Sequence, residues 1–270
     1  FLPFLMSKRT RYFYTVHDIL YEEYPQFYSF FYILSRRFLI KWGAGRAEKI
    51  FTISEYSKLQ LHTRYQINSK KIIVIPIQIE LPSQKSIIED KLISNDILYV
   101  SRFEERKNHK NLIKLFSKLS HSESIRLVLV GFEVDGTKSK CIKLVQELDL
   151  VDKVDFFENI DSEELDNLHL NARVIIYPSL CEGLGMPVLE ALLANSRVLF
   201  SNTTSMREFT FANQHMFNPL NQDDMYEKVL MLLRKPKMFE GEHHSTKSQI
   251  IEKYNVKSVA KKYSKNIGLI

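Results

Sequence analysis

Short apolar runs alternate along most of the chain with longer segments whose apolar residues recur every three or four positions. Residues 11–16 read as a strand, rich in aromatic and β-branched side chains and closing at His17-Asp18. Residues 26–42 read as a helix with Phe27, Phe30, Phe31, Leu34 and Phe38 on one face, and Gly43 and Gly45 are expected to end it. A strand at 49–52, a helix at 55–65 and a strand at 71–76 follow. Residues 80–95 are polar without a clear period and are expected to link two domains. A second series then predicts strands at 97–100, 126–130, 154–157, 174–177, 198–200 and 215–217, and helices at 110–119, 138–148, 162–170, 187–194 and 222–233. A last basic helix is expected over 256–267. Strands alternating with helices imply α/β architecture, parallel sheets and ligand sites at the strand C-terminal ends. The expected domains are 1–80 and 81–249, with the C-terminal helix, at about 250–270, a candidate to pack back on the first.

The stretch 177–194 adds chemistry to this pattern. It reads Tyr-Pro-Ser-Leu-Cys-Glu-Gly-Leu-Gly-Met-Pro-Val-Leu-Glu-Ala-Leu-Leu-Ala, a strand end, a loop with Glu182, Gly183 and Gly185, then a helix with Pro187 at its expected first position. Apart from Pro187, Glu190 is the sole non-apolar residue from Met186 to Ala194. A helix apolar on nearly all sides is expected to be buried, and its lone carboxylate, in the expected first turn, to need a partner. Backbone N–H groups at such a helix start, around Gly183, Leu184 and Gly185, suit a phosphate, leaving Glu182 and Glu190 for hydroxyls. Asn195 falls where that helix must end and tolerates the left-handed conformation.

Composition narrows the class. With 270 residues, 44% hydrophobic and 26% charged, the chain is ordinary for a soluble globular protein. No run approaches the roughly 18–20 apolar residues of a membrane span, and residues 1–6 are too short for a signal-peptide core. Cys141 and Cys181 lie in unrelated contexts without metal-ligand spacing, and the plain expectation is a reduced, cytoplasmic setting. Residues 1–80 carry 12 Lys and Arg against 6 Asp and Glu, which is the whole net charge of +6. That region is also rich in Phe and Tyr. A basic, aromatic surface suits anionic lipid headgroups or a lipid-diphosphate acceptor, and predicts peripheral contact with the inner face of a membrane; a core-facing aromatic helix with a solvated basic side is the alternative. No nucleic-acid-binding signature accompanies it.

Further candidates sit at other strand ends. Arg102 and Lys107, in the loop after the first strand of the second series, place a planar guanidinium and a flexible ammonium where a diphosphate could be neutralised. His17, closing the first strand, can position or take a proton near neutral pH. Ser54 suits either a helix cap or a functional role.

Together these motifs resemble the retaining glycosyltransferases of family 4, which have the GT-B fold of two Rossmann-like domains. Glu182 and Glu190 match that family's Glu-x7-Glu, Arg102, Lys107 and Asn108 its Gly-Arg…Lys-Asn loop with Ser101 in place of the usual Gly, and His17-Asp18 its His-Asp. Ser54 matches a Thr-x-Ser-x-x-Ser segment, and Glu208 the acid of a Ser-x-x-Glu segment. The resemblance implies that Glu182 contacts the donor sugar, Glu190 the nucleotide ribose, and Arg102 and Lys107 the diphosphate. It further implies that His17 lies near the transferring sugar, Gly131 lets backbone approach the base and Glu208 shapes the pocket. The implied activity is metal-independent, cofactor-free transfer, with retention, of a hexose, mannose favoured, from a nucleotide diphosphate-sugar to a glycan or lipid-linked acceptor in surface polysaccharide or lipopolysaccharide assembly. Glu158, Gln78, Asn195 and Arg197 depart from the family's usual Gly and Pro. No Gly precedes Gly43, so the first domain is expected to be incomplete. A non-catalytic donor-binding subunit and a nucleotide-sugar epimerase stay open as alternatives.

Overall fold

A computed structural model describes residues 10–79, 94–236 and 243–269, so most of the expected linker and the opening residues lie outside the described residues. These residues form two compact units, one of 10–79, 181–185 and 251–269, the other of 94–180, 186–236 and 243–250.

The first unit is built on a three-stranded parallel sheet in the order β1 (Phe13–Thr15), β2 (Lys49–Thr52), β3 (Ile72–Val74). Helix α1 (Phe30–Arg46) follows β1 and α2 (Glu55–Tyr65) follows β2. Successive side chains of a strand face opposite ways, so Ile50 and Ile72 join a core with Val16, Ile40, Leu61 and Ile67. Phe51 instead packs with Ile75 and with Val259, Tyr263 and Ile267 of the last helix, α9 (Val256–Ile267).

Two expectations about α1 are corrected. It begins at Phe30, after a separate turn at Pro25–Phe27, because the Ser29 hydroxyl caps it by accepting the Tyr32 N–H at 3.3 Å. It also passes through Gly43 and Gly45, which tax a helix without breaking it, and ends only where Ala47 turns extended at ψ 143°. The aromatic face is exposed rather than core-facing: Phe30, Phe31, Leu34 and Phe38 all face outward, while Ile40 and Gly43 are buried.

The second unit holds a six-stranded parallel sheet: β4 (Asp96–Val100), β5 (Arg126–Val130), β6 (Val154–Phe157), β7 (Val174–Tyr177), β8 (Val198–Ser201) and β9 (Met216–Phe217). The order is β6-β5-β4-β7-β8-β9, with Leu98 registered against Val128 on one side and Ile175 on the other. Counted from β4 this is 3-2-1-4-5-6, the doubly wound order whose direction reverses between β4 and β7. Helices α3 (His109–Leu119), α4 (Thr137–Glu147), α5 (Ser162–Asn171), α6 (Met186–Leu193) and α7 (Gln222–Arg234) connect or follow the strands. The strands are near-continuous runs such as Val-Ile-Ile-Tyr at β7, all four buried, as a sheet covered on both faces requires. A helix absent from the expected set, α8 (His243–Tyr254), seats Thr246, Ile250 and Tyr254 inward at a four-residue spacing. Its stripe is hidden in the sequence because Thr246 counts as polar; its hydroxyl donates to Phe211 O at 3.0 Å.

Candidate functional site

The loop after β4 is held by ion pairs and hydrogen bonds. Arg102, half exposed, pairs with Glu104 at 2.8 Å, and Arg106 pairs with the other oxygen of the same carboxylate at 2.7 Å. Glu104 therefore holds two guanidinium groups in one cluster. Lys107 is partly buried and its carbonyl accepts the Tyr99 hydroxyl at 2.9 Å. Asn108 ends the turn in the left-handed region (φ 64°), which Asn adopts more readily than most residues. Its buried amide donates to Pro178 O at 3.0 Å and to Pro219 O at 3.3 Å. Leu180 N–H donates to Arg106 O at 2.8 Å. The two loops flanking the reversal of the sheet, after β4 and after β7, are thereby bonded to each other.

The same loop is fastened on its other side. Phe103 N–H donates to Phe132 O at 2.9 Å, and Asp135 accepts the Glu105 N–H at 3.0 Å while also capping the start of α4 through Thr137. Gly131 has φ +152°, and a Cβ placed there would meet Ser101 O at 1.9 Å. In this structure the backbone that comes close to Gly131 is that of Ser101, the residue before Arg102. The glycine requirement is thus tied to the position of the arginine loop.

Beneath the loop lies His109, 1% exposed, stacked on Phe103 at 4.5 Å between centroids and tilted against Tyr99 at 4.7 Å. Its Nε2 is 3.4 Å from Ser101 Oγ and its Nδ1 has no hydrogen-bond partner. Burial, with the Lys107 charge adding to it, pushes the imidazole down to about 3. The folded chain therefore keeps His109 neutral where the unfolded chain, at the ordinary value near 6.5, takes a proton. Stability that is present above pH 6.5 should be lost as pH falls toward 3, by up to about 1.4 kcal/mol per unit from this group. Urea titrations at several acid pH values should show this slope for the wild type and a shallower one for His109→Gln.

Helix α6 opens at Met186, so Pro187 is its second residue, still within the first turn where its missing N–H costs nothing. The helix is only partly as expected: Val188, Leu189, Ala191, Leu192 and Leu193 are buried, whereas Glu190 lies beyond the first turn and is exposed. Partial burial of its carboxyl still desolvates it enough to raise its pKa. The helix ends with Asn195 in the left-handed region at φ 55°. Beyond β8, Glu208 is partly buried at the end of the 3-10 turn Thr204–Glu208. That turn is joined to the β7 loop by Thr203 Oγ1 donating to Ser179 O at 3.2 Å.

In the first unit, His17 follows β1 exposed, with its carbonyl accepting the Thr52 hydroxyl at 3.0 Å. The segment Cys181–Gly185 groups with this unit. A Cβ at Gly183 would lie 2.5 Å from Asp18 Oδ2, so the loop bearing Glu182 passes directly against the His17-Asp18 strand end. Gly185 has φ +88°, open to Gly and unfavourable for the other residues. Ser54 is buried and acts as a cap for α2: its hydroxyl oxygen accepts the Ser57 N–H at 3.1 Å and its hydroxyl lies 2.9 Å from Ser57 Oγ.

The structure brings Arg102, Lys107 and the 178–180 loop together in the second unit, and Glu182, Gly183 and the His17-Asp18 end together in the first. Glu104 and His109 were not among the candidates from sequence, and Asn108 entered only as the last residue of the loop motif, with no role given to it. Asn108, at a turn after two basic residues, carried a readable left-handed signal; the Glu104 bridge and the His109 stack depend on contacts that no spacing encodes. Among the described residues no group of three or more His, Cys, Asp or Glu is placed to hold a metal ion.

The family of glycosyl transferases group 1 matches residues 83–253. An O-antigen chain mannosyltransferase, RfbU, of Salmonella typhimurium is 32% identical over 205 residues, covering 76% of this chain and 56% of that protein. O-antigen chain mannosyltransferase B of Escherichia coli is 22% identical, with 82% and 60% covered. The chain thus spans less than two thirds of the length of these relatives. Among solved structures, sucrose-phosphate synthase from Thermosynechococcus elongatus superposes with a TM-score of 0.77 at 20% identity, over 96% of this chain and 67% of that one. Anabaena Alr3699/HepE, in complex with UDP and glucose, gives 0.79 at 14% identity, over 97% and 72%. These likenesses establish the GT-B type of fold expected from the sequence.

Proposed function

The chain belongs to the glycosyl transferases group 1 family, and from that premise we propose that it transfers a hexose, mannose favoured, from a nucleoside diphosphate donor to a glycan or lipid-linked acceptor in surface polysaccharide assembly. The observation that carries this reading is the pair of bonded loops at the reversal of the sheet, with Arg102 and Lys107 in the first of them. A doubly wound sheet binds its ligand outside that point, and two cations there answer a diphosphate. The relatives named as mannosyltransferases support the choice of sugar.

In the proposed reaction the bond from the anomeric carbon to the diphosphate oxygen breaks, and the acceptor hydroxyl forms the new bond on the same face as its proton passes to the departing diphosphate oxygen. Charge developing on the departing diphosphate is stabilised by Arg102 and Lys107 and by the N–H groups of Gly183, Leu184 and Gly185, without a metal ion or a cofactor. Glu190 accepts a ribose hydroxyl, and Glu208 shapes the pocket beside it. Glu182 orients sugar hydroxyls and His17 lies near the anomeric carbon. Ser54 serves by capping α2. The reading places the protein in the cytoplasm, in peripheral contact with a membrane that presents the acceptor.

The test is a panel of radiolabelled nucleotide-sugars incubated with the chain and a lipid-linked saccharide acceptor. Label extracted with the lipid supports transfer, and an α-linked product from an α-configured donor supports retention. Released epimerised sugar points to an epimerase, and donor binding without product to a donor-binding subunit.

A further inference from the structure

We propose that a cavity between α5 and the sheet of the second unit, on the N-terminal side of β4 and β5, binds a single hexose ring of a glycan. The cavity has a volume of about 220 Å³. Its apolar floor is Leu98 and Val128, neighbours in the register of β4 and β5 and both buried, together with Leu168. Around that floor stand Asp96, Glu164, Asn167 and Asn171. The arginine loop leaves the opposite, C-terminal end of β4, so this cavity is separate from the donor site and does not depend on it.

The cavity follows from the sequence of α5. Glu164, Asn167, Leu168 and Asn171 are spaced i, i+3, i+4 and i+7, the stripe that a helix covering a sheet ordinarily fills with apolar residues. Three of the four are polar, and no residue of α5 is buried, whereas α3 in the same unit buries six. The helix end is nonetheless fixed to the strand start. Ser94 donates to Asn171 O from its N–H at 2.8 Å and from its hydroxyl at 3.0 Å, and Arg173 N–H donates to Asp96 O at 2.9 Å.

The lining selects the occupant. Among the described residues no hydrogen bond or ion pair engages the carboxylates of Asp96 and Glu164 or the side-chain amides of Asn167 and Asn171. Arg126, registered opposite Asp96, pairs instead with Asp155, and Arg173 donates to the Asn95 side chain at 3.0 Å and to Leu233 O at 3.1 Å. Two groups that only accept and two that both donate and accept are therefore open to a ligand. A pyranose answers all of them: its hydroxyls donate to the carboxylates and accept from the amides, and its C–H face lies on the Leu and Val floor. A metal ion would leave the amide N–H groups and that floor unmatched. Pockets for drug-sized ligands occupy roughly 300–1,000 Å³, so the smaller volume here suits about one ring.

NMR titration of the whole chain, carrying isotope-labelled asparagine, with methyl α-mannoside, methyl α-glucoside and methyl α-galactoside tests the proposal. The side-chain amide signals of Asn167 and Asn171 are assigned by their loss in Asn167→Gln and Asn171→Gln. Both should shift saturably with at least one glycoside, at a Kd on the order of 1–10 mM. Asp96→Asn should raise that Kd about tenfold or more, with the remaining asparagine signals reporting that the fold is kept. Arg102→Ala should leave the Kd unchanged, which separates this site from the donor site. The proposal is overturned if no glycoside moves the two signals at up to about 50 mM. It is overturned in favour of a cation site if ethylammonium or magnesium ions move them and the glycosides do not, and in favour of sugar bound at the donor site if Arg102→Ala abolishes the shifts.

Discussion

Arg102→Ala is expected to weaken binding of a nucleoside diphosphate by about ten- to a hundredfold, the range given by losing a charged hydrogen-bonding partner worth roughly 1.5–3 kcal/mol. Arg102 is held by Glu104, which Arg106 also holds. Being half exposed, Arg102 can exchange its carboxylate partner for phosphate oxygens at little desolvation cost. Arg106, much less exposed, stays with Glu104. Arg102→Lys should recover only part of the affinity, since an ammonium cannot contact two oxygens in the planar, forked manner of a guanidinium. Titration calorimetry with the nucleotide that binds the wild type measures both. An unchanged affinity in Arg102→Ala would remove Arg102 from the donor site.

Gly131→Ala should have the largest effect on stability. The new methyl group would lie 1.9 Å from Ser101 O and 2.7 Å from its carbon, distances that only a backbone shift relieves, and φ +152° is unfavourable for any residue with a side chain. Strain of this kind costs about 1–3 kcal/mol for the backbone alone, and the clash adds to it. Since Ser101 leads into Arg102, relief must move the arginine loop, so affinity should fall along with the melting temperature. By contrast, Gly45→Ala, where a Cβ would meet nothing within 4 Å, should be neutral or mildly stabilising. The pair, followed by thermal melts, separates a steric requirement for glycine from a general cost of substituting it.

Much of this architecture was readable in the residues. The strand Val174–Tyr177 is bounded in the sequence as in the structure, because a buried parallel strand is a continuous apolar run between polar turns. The limits of α1 were not readable. Its start depends on the Ser29 cap, and its passage through Gly43 and Gly45 on packing that outweighs propensity. Helix α8 escaped notice because two of its three inward residues, Thr246 and Tyr254, are not plainly apolar. At the candidate site, the placing of Arg102 and Lys107 in the loop after β4 was legible, since a strand followed by a polar turn fixes where that loop falls. Which contacts hold those cations was not legible: Glu104 between two arginines and Ser101 against Gly131 are tertiary facts. Glu190 was expected to be buried with a partner, yet a helix buried on most sides still leaves one side out, and Glu190 lies on it.

Calorimetric titration of the wild-type chain with GDP, UDP and ADP decides whether the second unit binds a nucleoside diphosphate. Saturable binding of at least one of the three is expected, with the heat signal reduced in Glu190→Ala as well as in Arg102→Ala. Absence of binding by all three nucleotides to folded wild-type protein would remove the donor site from the second unit.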